Sequence, residues 1–412
     1  MSFARDAAAA LSGLGDVETR QRAWRAFEAV GLPTTRDEVW RYAPLDRLDL
    51  EGVHVTTRAG SPVSSPLVSE LARGASAVVV TVDGFVVERP PTPAGVEVVV
   101  AAPGASPLDG SSVERYGADA FALLNSALSP GALEIRVAAN VVLEAPLLVV
   151  HHVSAGRVAA PRTQVVLGRG AAATVVEVLI GGEQAVVVPV GEYRLGPDAA
   201  LRLVAYQRLA PDAWHIARTT TVIDRDARMS HSVLGLGAGY DRSRNDAELV
   251  GPLAHNELRT TYLGRGDQVH DLRTHQFRRA GRTTSVLLSK GAVGERSRSI
   301  YTGLIEIEHG ARKTDARQTN QNLLLSPHAH ADSVPNLDIR ENDVVCAHAS
   351  TVGPLDELQR WYLESRGVSR ADAQRLMIQG FFAEMLDGLP VGVASSMEND
   401  VAALLGGVEV AP

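Results

Sequence analysis

Cys346 and His348 stand two residues apart in "ENDVVCAHASTVG", residues 341–353, and Cys346 is the only cysteine in the chain. In an extended segment the two side chains share a face, with Cα atoms roughly 6.6 Å apart at about 3.3 Å per residue. A thiolate and an imidazole at that separation can ligate one softer metal ion or one iron of a cluster. The same pair is also compatible with a small buried thiol beside a hydrogen-bonded histidine. A Cys-His nucleophilic pair is a third reading, although no orienting group or oxyanion donor is legible nearby. A cluster held by thiolates usually takes several of them. A chain with one thiol therefore offers half a site, and the missing ligands would come from a second chain.

The other histidine clusters are weaker. His328 and His330 in "SPHAHADS" would share a face if that segment is extended, and they would then suit a metal. His151 and His152 are adjacent and would point to opposite faces of a strand. No P-loop, no H-E-x-x-H and no C-x-x-C is present, and "GLGAG" at 235–239 lacks the βαβ context of a dinucleotide site.

Composition narrows the classes further. The 412 residues are 45% hydrophobic and 21% charged, which fits a folded globular chain. A formal charge of -8 argues against nucleic acid as a partner. No apolar run reaches the roughly 20 residues that span a bilayer, so no membrane segment is expected. The first 20 residues lack a leader-like apolar stretch before a cleavage site, and the expectation is a cytoplasmic protein.

The elements that must position the pair fall into three regions. Residues 1–132 read as a helical and small α/β region. "DVETRQRAWRAFEAVGLP" has helical spacing, "AVVVTVDGFVVE" reads as a hairpin around Asp83-Gly84, and a short helix is expected over 113–128. From 133 to 353 short β-like runs follow one another with almost no helix signal. "QVVLGRGAAATVVEV", "YRLGPDAALRLVAY" and "TVIDRDARMSHSVL" repeat one pattern of strand, tight turn and strand. Leu167, Leu195 and Ile223 occupy equivalent places 28 residues apart. A fixed period of strand and turn is the mark of a β-solenoid, and an antiparallel sandwich is the alternative.

Residues 354–412 read as helical. Pro354 stands near the start of a first helix with Gly367 at its end, and Ser369 with Asp372 forms a capping-box pattern for a second. Leu376, Met377, Phe381, Phe382 and Met385 spread over more than one helix face, and Trp361 lies on the helix before them. Capping the end of the solenoid explains part of that surface, and docking of another protein explains the rest.

Three stretches then resemble the SufB/SufD scaffold family of the SUF iron–sulfur cluster assembly system, and its SufD branch most. They are "EVWRYAPL" at 38–45, "GLIEIEHGARKTDARQTNQNLLLS" at 303–326 and "PNLDIRENDVVCAHASTVGPLDELQRWYLESRG" at 335–367. The Cys-x-His run and single cysteine match SufD, whereas SufB generally carries several cysteines and a Glu-His-Glu. Ala347 and Ala349 depart from the branch's usual serine and glycine.

The resemblance implies a right-handed parallel β-helix core, with an N-terminal α/β region and a C-terminal helical domain. It implies a heterodimer with a SufB-like paralogue and docking of a SufC-like ATPase on the C-terminal helices. No nucleotide would then be bound by this chain, and a homodimer is possible when it is isolated. It implies a non-catalytic scaffold with a transient iron–sulfur cluster at the subunit interface. His348 would be its ligand from this chain and Cys346 a secondary candidate. Trp361, Leu376, Met377, Phe381, Phe382 and Met385 would contact the partner. A β-helix carbohydrate-active enzyme and a stand-alone metal-binding protein are the competing readings.

Overall fold

The computed structural model describes residues 2–102, 106–108 and 119–405. Its centre is a parallel β-helix of about eight turns, with helices toward both termini. Two sheets face each other, and from Trp214–Ile223 to Asp315–Leu324 successive strands alternate between them, each pairing with the strands two places before and after it. The 28-residue period has a direct structural meaning. Leu167, Leu195 and Ile223 are register partners in one sheet and stack as a single inward row.

The turns explain why this sequence repeats. Gly170, Asp198 and Asp226 hold corresponding turn positions at φ 64°, 62° and 56°, where Gly and Asp are among the best-tolerated residues. The next residue in each coil is Ala171, Ala199 or Ala227, and all three are buried. Each alanine N–H closes its turn onto the residue three before it at 3.1 Å. A larger side chain there would push the coils apart.

The two ends of the helix differ. At the N-terminal end, Ala77–Val82 continues one sheet and turns back at Asp83-Gly84 into Phe85–Glu88. Both turn residues have positive φ, as the Asp-Gly hairpin signal predicts. Val96–Ala101 closes the other sheet antiparallel to Ala132–Val137. The helix expected over 113–128 is described as Ala120–Leu128, and residues 113–118 lie outside the described residues. "EVWRYAPL" braces the outside of a sheet. The Arg242 guanidinium lies 3.7 Å above the Trp40 ring and donates to the Val39 carbonyl, while Arg298 lies 5.1 Å above the Tyr42 ring.

At the C-terminal end the chain leaves the solenoid into helices Glu357–Ser365 and Arg370–Phe382. Asp356 caps the first by accepting from Leu358 and Gln359, while Pro354 belongs to the preceding strand rather than to the helix start. Ser369 caps the second through the Asp372 N–H. A third helix, Val391–Leu405, supplies the partner for the second that the sequence pattern left unassigned. Phe382 and Met385 are spent internally, in one apolar cluster with Val393, Met397 and side chains of the sheet such as Val178 and Tyr206.

Cations on the sheet latch this helical unit in place. Lys290 Nζ donates to the Phe381 carbonyl at 2.8 Å, pairs with Glu384 and lies 4.6 Å from the Phe381 ring centroid. Arg259 donates to the carbonyls of Glu384 and Asp387 at 2.7 and 3.1 Å. These donors satisfy carbonyls around the C-terminal end of a helix, where positive charge is favoured.

Two outcomes are expected. Lys290→Met should raise hydrogen exchange over residues 370–387 and cost about 1–3 kcal/mol of stability while leaving exchange in the β-helix strands unchanged. His231 is buried in an inward row between Leu203 and Leu258, and burial pushes its pKa down to about 4. Below the ordinary histidine value the unfolded chain takes up the proton first, so stability falls as pH drops from about 6.5 to 4, by about 3 kcal/mol. His231→Leu should remove that part of the acid sensitivity in urea titrations across this range.

Candidate functional site at the open end of the helix

The last two strands are His330–Ile339 and Val345–Pro354, one at the edge of each sheet. Each pairs with one neighbour, Arg298–Ile307 and Asp315–Leu324 respectively. Their outer N–H and C=O groups are left without a strand partner among the described residues. Val334, Leu337, Ile339, Val345 and Val352 are exposed along them. An apolar parallel edge of this kind is a template for another strand.

Cys346 and His348 lie on the inward face of the final strand, as period 2 requires. Cys346 continues the row of Asn256, Ser285 and Ala316, and His348 continues that of Leu258, Leu287 and Gln318. With no further coil above them, these inward side chains look out of the open bore. Cys346 is half-buried against Ile305, Ile307, Ala311 and Ala316, whereas His348 is exposed.

The two groups differ in readiness to bind metal. Burial pushes the Cys346 thiol above its ordinary value, although the Arg278 guanidinium acts in the opposite direction. The thiol must therefore give up a proton that is harder to remove than usual. Arg278 itself is fully buried and its pKa falls to about 10 by burial, opposed by Cys346 and Asp315. It donates to the Gln276 carbonyl at 3.0 Å and to Ser285 Oγ.

The bore beneath the mouth is polar. Gln318, Asn320 and Asn322 alternate along one strand and all face inward, and Tyr262 Oη donates to Asn322 Oδ1 at 2.6 Å. The alternation is visible in "RQTNQN", but which parity faces inward depends on register with the neighbouring strands. No charged side chain among the inward positions of the last three strands competes with a ligand at the mouth.

The remaining candidates are dispersed. His328 sits in a turn and His330 begins a strand, where its ring lies 3.1 Å from Asp332, so the two do not form a strand face. His151 points inward, 2.8 Å from Thr81 Oγ1 and 3.4 Å from Glu177, as a satisfied core histidine. Among the described residues no group of three or more His, Cys, Asp or Glu could hold a metal ion. A complete metal centre is not built from these residues alone.

On the helical unit, Leu358, Trp361, Tyr362 and Leu376 are exposed, whereas Met377 and Phe381 are half-buried. Leu358, Trp361 and Tyr362 have i, i+3, i+4 spacing and form one face. No described helix is long and apolar enough to cross a membrane.

Residues 150–381 match the family described as "SUF system FeS cluster assembly, SufBD core domain". The chain is 30% identical over 380 residues to the iron–sulfur cluster assembly protein SufD of Escherichia coli, covering 87% of this chain and 86% of that protein. It is 30% identical over 288 residues to SufD of Bacillus subtilis, covering 69% and 65% respectively. A SufBD family protein of Mycobacterium bovis is 31% identical over 376 residues, covering 88% and 87%. The matched core contains the polar bore, Cys346 and His348, and extends into the helices beyond them. This chain belongs to the SufB/SufD family of SUF iron–sulfur cluster assembly proteins and is SufD-like within it.

Proposed function

We propose that this protein is a non-catalytic scaffold subunit that completes its site by pairing, through the open end of its β-helix, with a SufB-like paralogue. The observation that carries this reading is the inward Cys346–His348 pair at an uncapped mouth, with two unpaired strand edges around it. His348 contributes one ligand to a nascent cluster between the subunits, and Cys346 is the secondary candidate. The cluster is cargo, formed there and passed on. Without its paralogue the same edges pair two copies of this chain.

The three regions, 1–132, 133–353 and 354–412, then have distinct work. The first closes one end of the helix, the second carries the shared site, and the third docks a SufC-like ATPase. The exposed face of Leu358, Trp361, Tyr362 and Leu376 is the docking surface, with Met377 and Phe381 behind it. Phe382 and Met385 support that face from the core. Nucleotide hydrolysis by the partner moves this unit, and the Lys290 and Arg259 contacts carry the movement into the strands near the mouth. All of this takes place in the cytoplasm.

Two variants separate the parts of this reading. In the anaerobically assembled complex, His348→Ala should retain the subunits and lower iron and sulfide content at least tenfold. Unchanged cluster content in that variant contradicts the ligand role. Trp361→Glu should leave folding intact, because the side chain is 66% exposed, and should abolish recovery of the ATPase with the complex. Full recovery of the ATPase with folded Trp361→Glu contradicts the docking surface.

A further inference from the structure

Gln318 lies directly beneath His348. The two are register partners and continue one inward row through Leu258 and Leu287. Neighbours in such a row are about 4.8 Å apart, within the reach of a glutamine side chain. Gln318 is 2% exposed, yet neither its Nε2 nor its Oε1 has a hydrogen-bond partner. A buried amide left unpaired is unfavourable, because it has given up its hydrogen bonds to water. A leucine, as at the two preceding places in the row, would avoid that cost, so the amide is explained by a partner it gains at this position.

The surroundings indicate which partner. Across the bore stands Gly303, where a Cβ would lie 2.5 Å from Nε2 and 2.6 Å from Oε1 of Gln318. The bare backbone makes the space in which the amide stands. Of the nearby polar groups, Tyr301 Oη is engaged with Thr274 at 3.1 Å and Asn320 Oδ1 with Asn322 at 2.8 Å, while Asn320 Nδ2 and Ser333 Oγ are, like the Gln318 amide, without a partner. Above lies the His348 ring, which no hydrogen bond holds among the described residues.

We propose that Gln318 is the positioning residue for His348. Its amide oxygen accepts from the ring N–H that faces the bore, and the other ring nitrogen is left with its lone pair turned to the mouth. Histidines that bind metal commonly donate their second ring N–H in this way, and loss of the outer partner costs 10- to 100-fold in affinity. The proposal rests on the ligand reading above for its purpose, but its geometry can be tested separately.

The test uses the full chain labelled with 15N-histidine, the His348 signals being assigned by their loss in His348→Gln. Wild type should show one dominant His348 tautomer, and Gln318→Leu a mixture. Gln318→Glu, which keeps an acceptor oxygen, should retain the single form. In the assembled complex, Co(II) affinity should fall 10- to 100-fold in Gln318→Leu. Unchanged His348 ring shifts in a Gln318→Leu protein of normal circular dichroism overturn the proposal. If that variant does not fold, Gln318→Met is read by the same criterion. A changed tautomer with Co(II) affinity insensitive to His348→Gln removes the ligand reading and leaves the positioning. Affinity that depends on His348, with a tautomer insensitive to Gln318, removes the positioning alone.

Discussion

Each strand of a parallel β-helix obtains its main-chain hydrogen bonds from the coil below and the coil above, and the same stacking buries its inward side chains. The last coil has no coil above it. In this chain the first end is closed by antiparallel strands, Phe85–Glu88 and Val96–Ala101, but His330–Ile339 and Val345–Pro354 end the sheets open. The unpaired edges, the exposed apolar side chains along them and the outward view of Cys346 and His348 all follow from that one asymmetry. A histidine placed on the same face one coil earlier would be sealed in the core, as His231 is.

The bore is mixed along its length, and in mid-helix it holds the buried group His215, Asp241 and His270. Around the Leu167, Leu195 and Ile223 row the interior is aliphatic. Nearer the mouth it holds Asn256, Ser289, Gln318 and Asn320, all buried. Apolar coils would stack with less cost, since each unpaired polar group inside is unfavourable. The helical unit is held against the same sheet by Lys290 and Arg259, so displacement of those helices bears on strands two and three steps from the final one.

Much of this was legible beforehand, for physical reasons. The 28-residue step was visible because identical turns need Gly or Asp at one position and alanine at the next. Cys346 and His348 could be put on one face from period 2 alone. What could not be read was which face that was, because inward and outward parity depends on the register of neighbouring strands. Gln318 was missed for that reason, although "QTNQN" shows its alternation. The helix Val391–Leu405 was missed because "VGVASSMENDVAALL" mixes Gly, Ser and Asn into its apolar spacing. Its absence from the reading made Phe382 and Met385 seem free for a partner, when they pack against it.

The open end of the helix is the surface proposed to receive the paralogue. Hydrogen exchange of the main-chain amides, measured with and without the SufB-like paralogue, tests it most directly. Added protection is expected to concentrate in residues 330–339 and 345–354, the two parallel edge strands at the C-terminal end of the solenoid. Protection confined to the flanks of the solenoid or to the N-terminal strands, with these two edges exchanging as before, would contradict it.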